Sequence, residues 1–166
     1  FYQQHGNCIN AFDFASESYL PVDMPNNVLS LPAIRTNNQV VDQGEDGSIV
    51  DLGDDVLGVE FHSRANSISR EVLALIAKAI ALSSKSYRGI VIGNQGTHFS
   101  LGADLKEMIG AVESGQFEVI DQMINNFQQT MLQIKYADVP VVAALRGMCL
   151  GGGCEVAMHS HHRVAA

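Results

Sequence analysis

From about residue 48 onward, the spacing of hydrophobic positions changes in a regular way along the chain. Ile49, Val50 and Leu52 precede a Gly-Asp-Asp turn, and Val56, Leu57, Val59 and Phe61 follow it, which predicts a β-hairpin. Val72, Leu75, Ile76, Ala79 and Ile80 then recur at helical spacing. Ser69 is the predicted N-cap of that helix, with Glu71 in its first turn. The stretch "YRGIVIGN" is short and continuously apolar, as expected of a strand covered on both faces. A second helix is predicted in "ADLKEMIGAV", and a third carries Phe117, Ile120, Ile124, Phe127, Met131 and Ile134 on one stripe. "PVVAALRG" reads as a strand, "LGGGCEVAMHS" as a helix and "HRVAA" as a further strand. Strands alternating with helices predict an α/β architecture.

The first 47 residues follow no such period. They are rich in Asn, Gln, Asp, Ser and Pro, with only short apolar runs such as Val28 to Ile34. They read as an acidic polar arm or linker, partly disordered over Phe1 to Asn10, leading into a domain over 48–166. Composition adds limits. At 166 residues, 46% hydrophobic and 17% charged, the chain can bury a core and reads as globular. It starts at Phe1 without methionine and stops in an apparent strand, so it reads as a piece of a longer protein.

Charge is uneven. Residues 1–60 hold ten acids against one base, Arg35, and the remaining 106 hold eight acids against nine bases, so the net charge of −8 arises in the first third. That balance argues against nucleic-acid binding, which needs Lys and Arg at phosphates. No apolar run reaches membrane-spanning length. Three cysteines without metal-like spacing favour a reduced, cytoplasmic setting. His159, His161 and His162 are poorly spaced for tetrahedral ligation and are expected to be solvated or packed.

Candidate chemistry lies in two strand-to-helix junctions, Ile92 to Asp104 and Arg146 to Glu155. Each leaves a buried strand, passes through glycines and enters a helix, whose first N–H groups lack partners and carry the positive dipole end. Two such N–H groups converging on one oxygen make an oxyanion hole. Neither loop spells G-x-G-x-x-G, so a dinucleotide fold is disfavoured. Cys149 and Cys154 flank the second loop and are expected to be small packing residues.

The segments "FSLGADLKEM" (Phe99 to Met108) and "PVVAALRGMCLGGGCEVAM" (Pro140 to Met158) resemble the two signature segments of the crotonase superfamily, the enoyl-CoA hydratase/isomerase group. The resemblance implies a crotonase-like ββα spiral whose C-terminal part is missing here. It implies an enzyme that holds an acyl-CoA thioester as an enolate, with no cofactor beyond that substrate. Ala103 and Gly152 would supply the oxyanion-hole N–H groups, and Glu155 would move a proton or orient water. Arg64, Ala65, Asn66, Gly102, Asp104, Leu105 and Gly151 would lie along the CoA. The polar arm also resembles the connector of longer β-oxidation chains, in which a 3-hydroxyacyl-CoA dehydrogenase precedes a crotonase domain. A homotrimer or hexamer is implied for the full-length protein.

Departures from the family pattern keep the reaction open. The family's hydratases use a second glutamate one helix and strand further on, beyond Ala166, whereas double-bond isomerisation can run on one. The usual Asn-Arg-Pro before the first helix is replaced by Phe61-His62-Ser63-Arg64, and the usual Asp after the GGGCE helix is His161. Enoyl-CoA hydration is the leading expectation, with isomerisation or another crotonase reaction as alternatives. A non-catalytic CoA-binding or assembly unit is the alternative of another class, and the isolated piece is expected to be inactive.

Overall fold

A computed structural model describes residues 2–5, 8–22, 29–36 and 39–166, so Val28 at the head of the first apolar run lies outside the described residues. The described residues of the N-terminal stretch form regular elements that its composition does not announce. β1 (Tyr2–His5), β2 (Cys8–Asp13) and β3 (Ser18–Pro21) form a three-stranded antiparallel sheet. β1 and the start of β2 fall in the region Phe1 to Asn10 expected to be partly disordered, of which Phe1, Gly6 and Asn7 lie outside the described residues. Edge-to-face contacts of Phe12 with Phe14 and Tyr19, at 5.3 and 5.2 Å between centroids, give it a small aromatic centre. α1 (Leu31–Thr36) follows.

The main sheet has six strands in chain order. β4 (Val40–Gln43), β5 (Gly47–Asp51) and β6 (Val56–Phe61) are antiparallel, and β7 (Gly89–Gly93), β8 (Val141–Leu145) and β9 (His162–Ala165) continue in parallel. β4 thus falls inside the stretch read as an arm. The predicted α/β order holds for the rest: α2 (Arg70–Ser86) lies between β6 and β7, α3 (Lys106–Glu113) and α4 (Phe117–Lys135) between β7 and β8, and α5 (Gly152–His159) between β8 and β9. Ser69 caps α2 as expected, its hydroxyl accepting the Val72 N–H at 3.3 Å.

One face of the sheet carries the core. Leu57, Val59, Ile90, Ile92, Val141 and Ala143 alternate inward and meet Val72, Ile76 and Ala79 of α2 and Met131 and Ile134 of α4. Phe61 and Phe99 meet edge to face at 5.6 Å, which anchors the end of β6 to the loop after β7. The other face is less covered: Val91 of β7, whose register partners are Gly58 and Val142, is only half-buried, as are Val56 and Val142. Among the described residues, no helix is long and apolar enough to cross a membrane.

That second face holds a charge. Glu60 of β6 is 5% exposed, accepts a 2.6 Å hydrogen bond from Arg35 of α1, and has the Ser48 hydroxyl at 3.5 Å. A carboxylate at such a depth needs its partner. Arg35→Met is therefore expected to destabilise the protein by about 1–3 kcal/mol. The double variant Arg35→Met/Glu60→Met should recover most of that loss. Urea midpoints at unchanged m-value measure both, and an unchanged midpoint in Arg35→Met would refute the pair's role.

Candidate active site

The two glycine loops are stitched together by backbone. Phe99 N–H donates to Arg146 O at 2.7 Å, Ser100 N–H to Met148 O at 3.2 Å, and Leu150 N–H to Ser100 O at 3.0 Å. A third segment joins from the turn before α2. Leu101 N–H donates to Ala65 O, Ile68 N–H to Gly102 O at 2.8 Å, and Asp104 N–H to Ile68 O at 3.3 Å. The loop after β7 is braced internally as well. Asn94 takes the Gly96 N–H and gives its amide to Phe99 O at 2.7 Å, and Asn66 gives its amide to His98 O at 2.8 Å.

Two N–H groups without an acceptor come close to one another. Ala103 follows Gly102, whose φ is +115°, and Gly152 follows Gly151, whose φ is +47°. Each left-handed glycine turns the next peptide away from the regular course, a conformation that a side chain would strain. Among the described residues, neither the Ala103 nor the Gly152 N–H has a hydrogen-bond acceptor. The loops approach closely at this point. A Cβ built on Gly152 would lie 3.3 Å from Ala103 N, and one on Gly102 would lie 3.7 Å from Gly152 N. Both donor peptides are polarised from behind, because Gly102 O accepts from Ile68 N at 2.8 Å and Gly151 O accepts from Glu155 N at 3.1 Å. A pair of N–H groups so placed can hold an oxygen on which negative charge develops.

Ala103 and Gly152 wall one cavity of about 460 Å³, together with Glu155. Glu155 stands in the first turn of α5, one turn from Gly152, and its carboxylate has no hydrogen-bond partner among the described residues. The apolar wall comes from Ile68 and Leu73 beside α2 and from Met123, Ile124 and Phe127 of α4. Phe127 covers the donor loop directly, its ring edge 3.0 Å from the Cβ position of Gly152. The stripe on α4 thus divides its labour: Met131 and Ile134 are core, whereas Phe127 and Ile124 reach the cavity.

Of the other residues singled out by sequence, Asp104 also walls the cavity, and its carboxylate accepts the Lys106 N–H at 3.0 Å at the start of α3. Gly102 and Gly151 stand behind the donors. Arg64, Ala65, Asn66 and Leu105 are not among the residues walling it. Arg64 and Leu105 are exposed, Ala65 and Asn66 take positive φ of 59° and 49°, and the Asn66 side chain braces the loop after β7. Sequence reasoning missed Asp46 and Ser69 in the wall, and it missed the work of Glu71, whose carboxylate receives the N–H groups of Glu45 and Asp46. No motif marks them; only folding of the β4–β5 turn onto α2 brings them there.

His159 and His161 have local partners, and His162 is exposed. His161 accepts the Val141 N–H at 2.9 Å, and His159 bonds to Glu155 O at 2.8 Å. Cys149 and Cys154 are half-buried free thiols, and burial, with the neighbouring Cys154, pushes the Cys149 thiol above its ordinary value, away from the reactive thiolate.

A family model described as "Enoyl-CoA hydratase/isomerase" matches residues 52–166. Over 130 residues the chain is 41% identical to a "Probable 3-hydroxyacyl-CoA dehydrogenase" of Bacillus subtilis, covering 78% of this chain and 16% of that protein. It is 33% identical over 104 residues to a "Probable enoyl-CoA hydratase" of the same organism, covering 61% of this chain and 39% of the relative. Among solved structures, an enoyl-CoA hydratase from Bacillus anthracis superposes with a TM-score of 0.64 at 27% identity, over 73% of this chain and 47% of that one. The chain therefore spans well under half the length of the curated relatives it matches.

Proposed function

The chain belongs to the enoyl-CoA hydratase/isomerase family, and from that premise we propose that it forms the enolate-stabilising half of an enoyl-CoA hydratase active site acting in fatty-acid β-oxidation. The observation that carries this reading is the pair of unpartnered N–H groups of Ala103 and Gly152 in one cavity with the free carboxylate of Glu155. The thioester carbonyl oxygen accepts both N–H groups. Water's oxygen bonds to Cβ as one of its O–H bonds breaks, and the C=C electron pair moves toward the thioester, placing negative charge on the carbonyl oxygen. The enolate then collapses as Cα takes a proton. Glu155 orients the water or carries the proton, since it stands one helical turn from a donor.

Each donor is worth about 3 kcal/mol of barrier, the usual cost of removing one from such a pair. The apolar wall of Ile124 and Phe127 excludes water from the acyl group and strengthens both hydrogen bonds. Asp104 and Leu105, with the segment Arg64 to Asn66, border the CoA moiety in this reading. Acyl-CoA is the substrate, and no other cofactor takes part.

Product analysis tests the reading. The full-length protein given crotonyl-CoA is expected to yield 3-hydroxybutyryl-CoA, seen as loss of enoyl-thioester absorbance with a mass gain of one water. A 3-enoyl product of unchanged mass would replace hydration by isomerisation, and unchanged substrate with retained CoA binding would leave a non-catalytic unit.

A further inference from the structure

We propose that Ser100 is a positioning residue that sets the separation of the two donor N–H groups, a role that rests on the enolate-stabilising reading above. Ser100 is fully buried and touches both loops at once. Its hydroxyl oxygen accepts the Gly102 N–H at 3.1 Å, which fixes the Leu101–Gly102 peptide, one peptide before the one that carries the Ala103 N–H. Its backbone N–H and C=O bind Met148 O and Leu150 N–H, on the approach to Gly152. Its side chain also seats the residue after the second donor: a Cβ built on Gly153 would lie 2.5 Å from Ser100 Cβ and 2.8 Å from its Oγ. One small residue therefore contacts the chain beside both donors while lying outside the cavity wall.

The side chain carries two requirements that few residues meet together. It must be small enough to lie under Gly153, and it must present an acceptor to a buried N–H that otherwise has none among the described residues. Alanine meets the first requirement only. Losing the acceptor frees the Leu101–Gly102 peptide to tilt, which changes the torsions at Gly102 and with them the direction of the Ala103 N–H. Misplacement on the scale of an ångström costs up to about 100-fold in rate.

Ser100→Ala is expected to lower kcat for a short enoyl-CoA about 10–100-fold, while KM changes little and the melting temperature falls by only a few degrees, as for one buried N–H left without an acceptor. The absorbance of a bound conjugated aryl-enoyl-CoA, which shifts to the red as two donors polarise its carbonyl, should shift less in the variant. Ser100→Cys is only slightly larger, keeps a weak acceptor and should recover part of both signals. A Ser100→Ala protein with wild-type kcat and a wild-type red shift would overturn the proposal, as would a loss of stability with kcat unchanged in the folded fraction. If alanine does not fold, the cysteine variant decides: reduced kcat and red shift support the role, and wild-type values refute it. A wild-type protein without turnover or red shift refutes the enolate reading instead. Ser100 is then judged by amide hydrogen exchange in the unliganded protein, where Ser100→Ala speeds exchange at 101–103 if it positions this loop and leaves it unchanged if it does not.

Discussion

Replacing Glu155 by glutamine in the full-length protein is expected to lower turnover of crotonyl-CoA by about 10²–10⁴, the usual contribution of a positioned acid–base group. Binding should survive, because the substitution keeps the size of the side chain and leaves both donor N–H groups in place. Glu155 is exposed at the mouth of the cavity rather than packed in the core. Its carboxylate forms no hydrogen bond among the described residues, so glutamine leaves no partner stranded. Stability should therefore shift by under about 0.5 kcal/mol, as for surface substitutions without a special role. Steady-state kinetics, a CoA-binding titration and a melting curve together make the test. Full turnover in Glu155→Gln would remove Glu155 from the mechanism.

The second large effect is expected at Gly152. Its φ falls outside the left-handed range, since it opens α5, so alanine is tolerated by the backbone itself. The difficulty is the space in front of it. A methyl there lies 3.3 Å from Ala103 N, crowding the point where an oxygen must sit to accept both N–H groups, and it presses on the Phe127 ring at 3.0 and 3.1 Å. Gly152→Ala should cost about 10²–10³ in kcat, the loss typical of one missing donor. Two causes can be separated. Phe127→Leu relieves the ring contact but leaves the methyl beside Ala103 N. If Gly152→Ala/Phe127→Leu regained wild-type turnover, packing alone would be responsible and the donor assignment would fail.

The strand and helix order from Ile49 onward was legible because the hydrophobic period switches there between two and 3.6. The glycine loops were legible as a chemical site because they place bare backbone at helix starts, and because "FSLGAD" and "LGGGCE" resemble a known family. Three things were not legible. β4 and the first small sheet have too few apolar positions to announce themselves, and their order comes from pairing with neighbours and from Phe12, Phe14 and Tyr19. Nothing in the local pattern marks Glu60 as buried, and only α1 folding back with Arg35 makes its burial tolerable. The joining of the two loops through Ser100 depends on contacts some fifty residues apart, which no local pattern encodes.

The two donors proposed to hold the oxygen are main-chain N–H groups, which every residue except proline possesses. An alanine scan would pass over Ala103 entirely and would test Gly152 only by adding a methyl. Beside Glu155, such a scan would respond at Gly102, Gly151 and Gly153, residues that donate nothing to the oxygen and matter through the space and torsions they leave open. A map of mutational sensitivity would therefore outline the mould of this site and leave blank the atoms that do its work. Replacing a single backbone amide by an ester at Ala103 or Gly152, through chemical ligation, addresses those atoms directly.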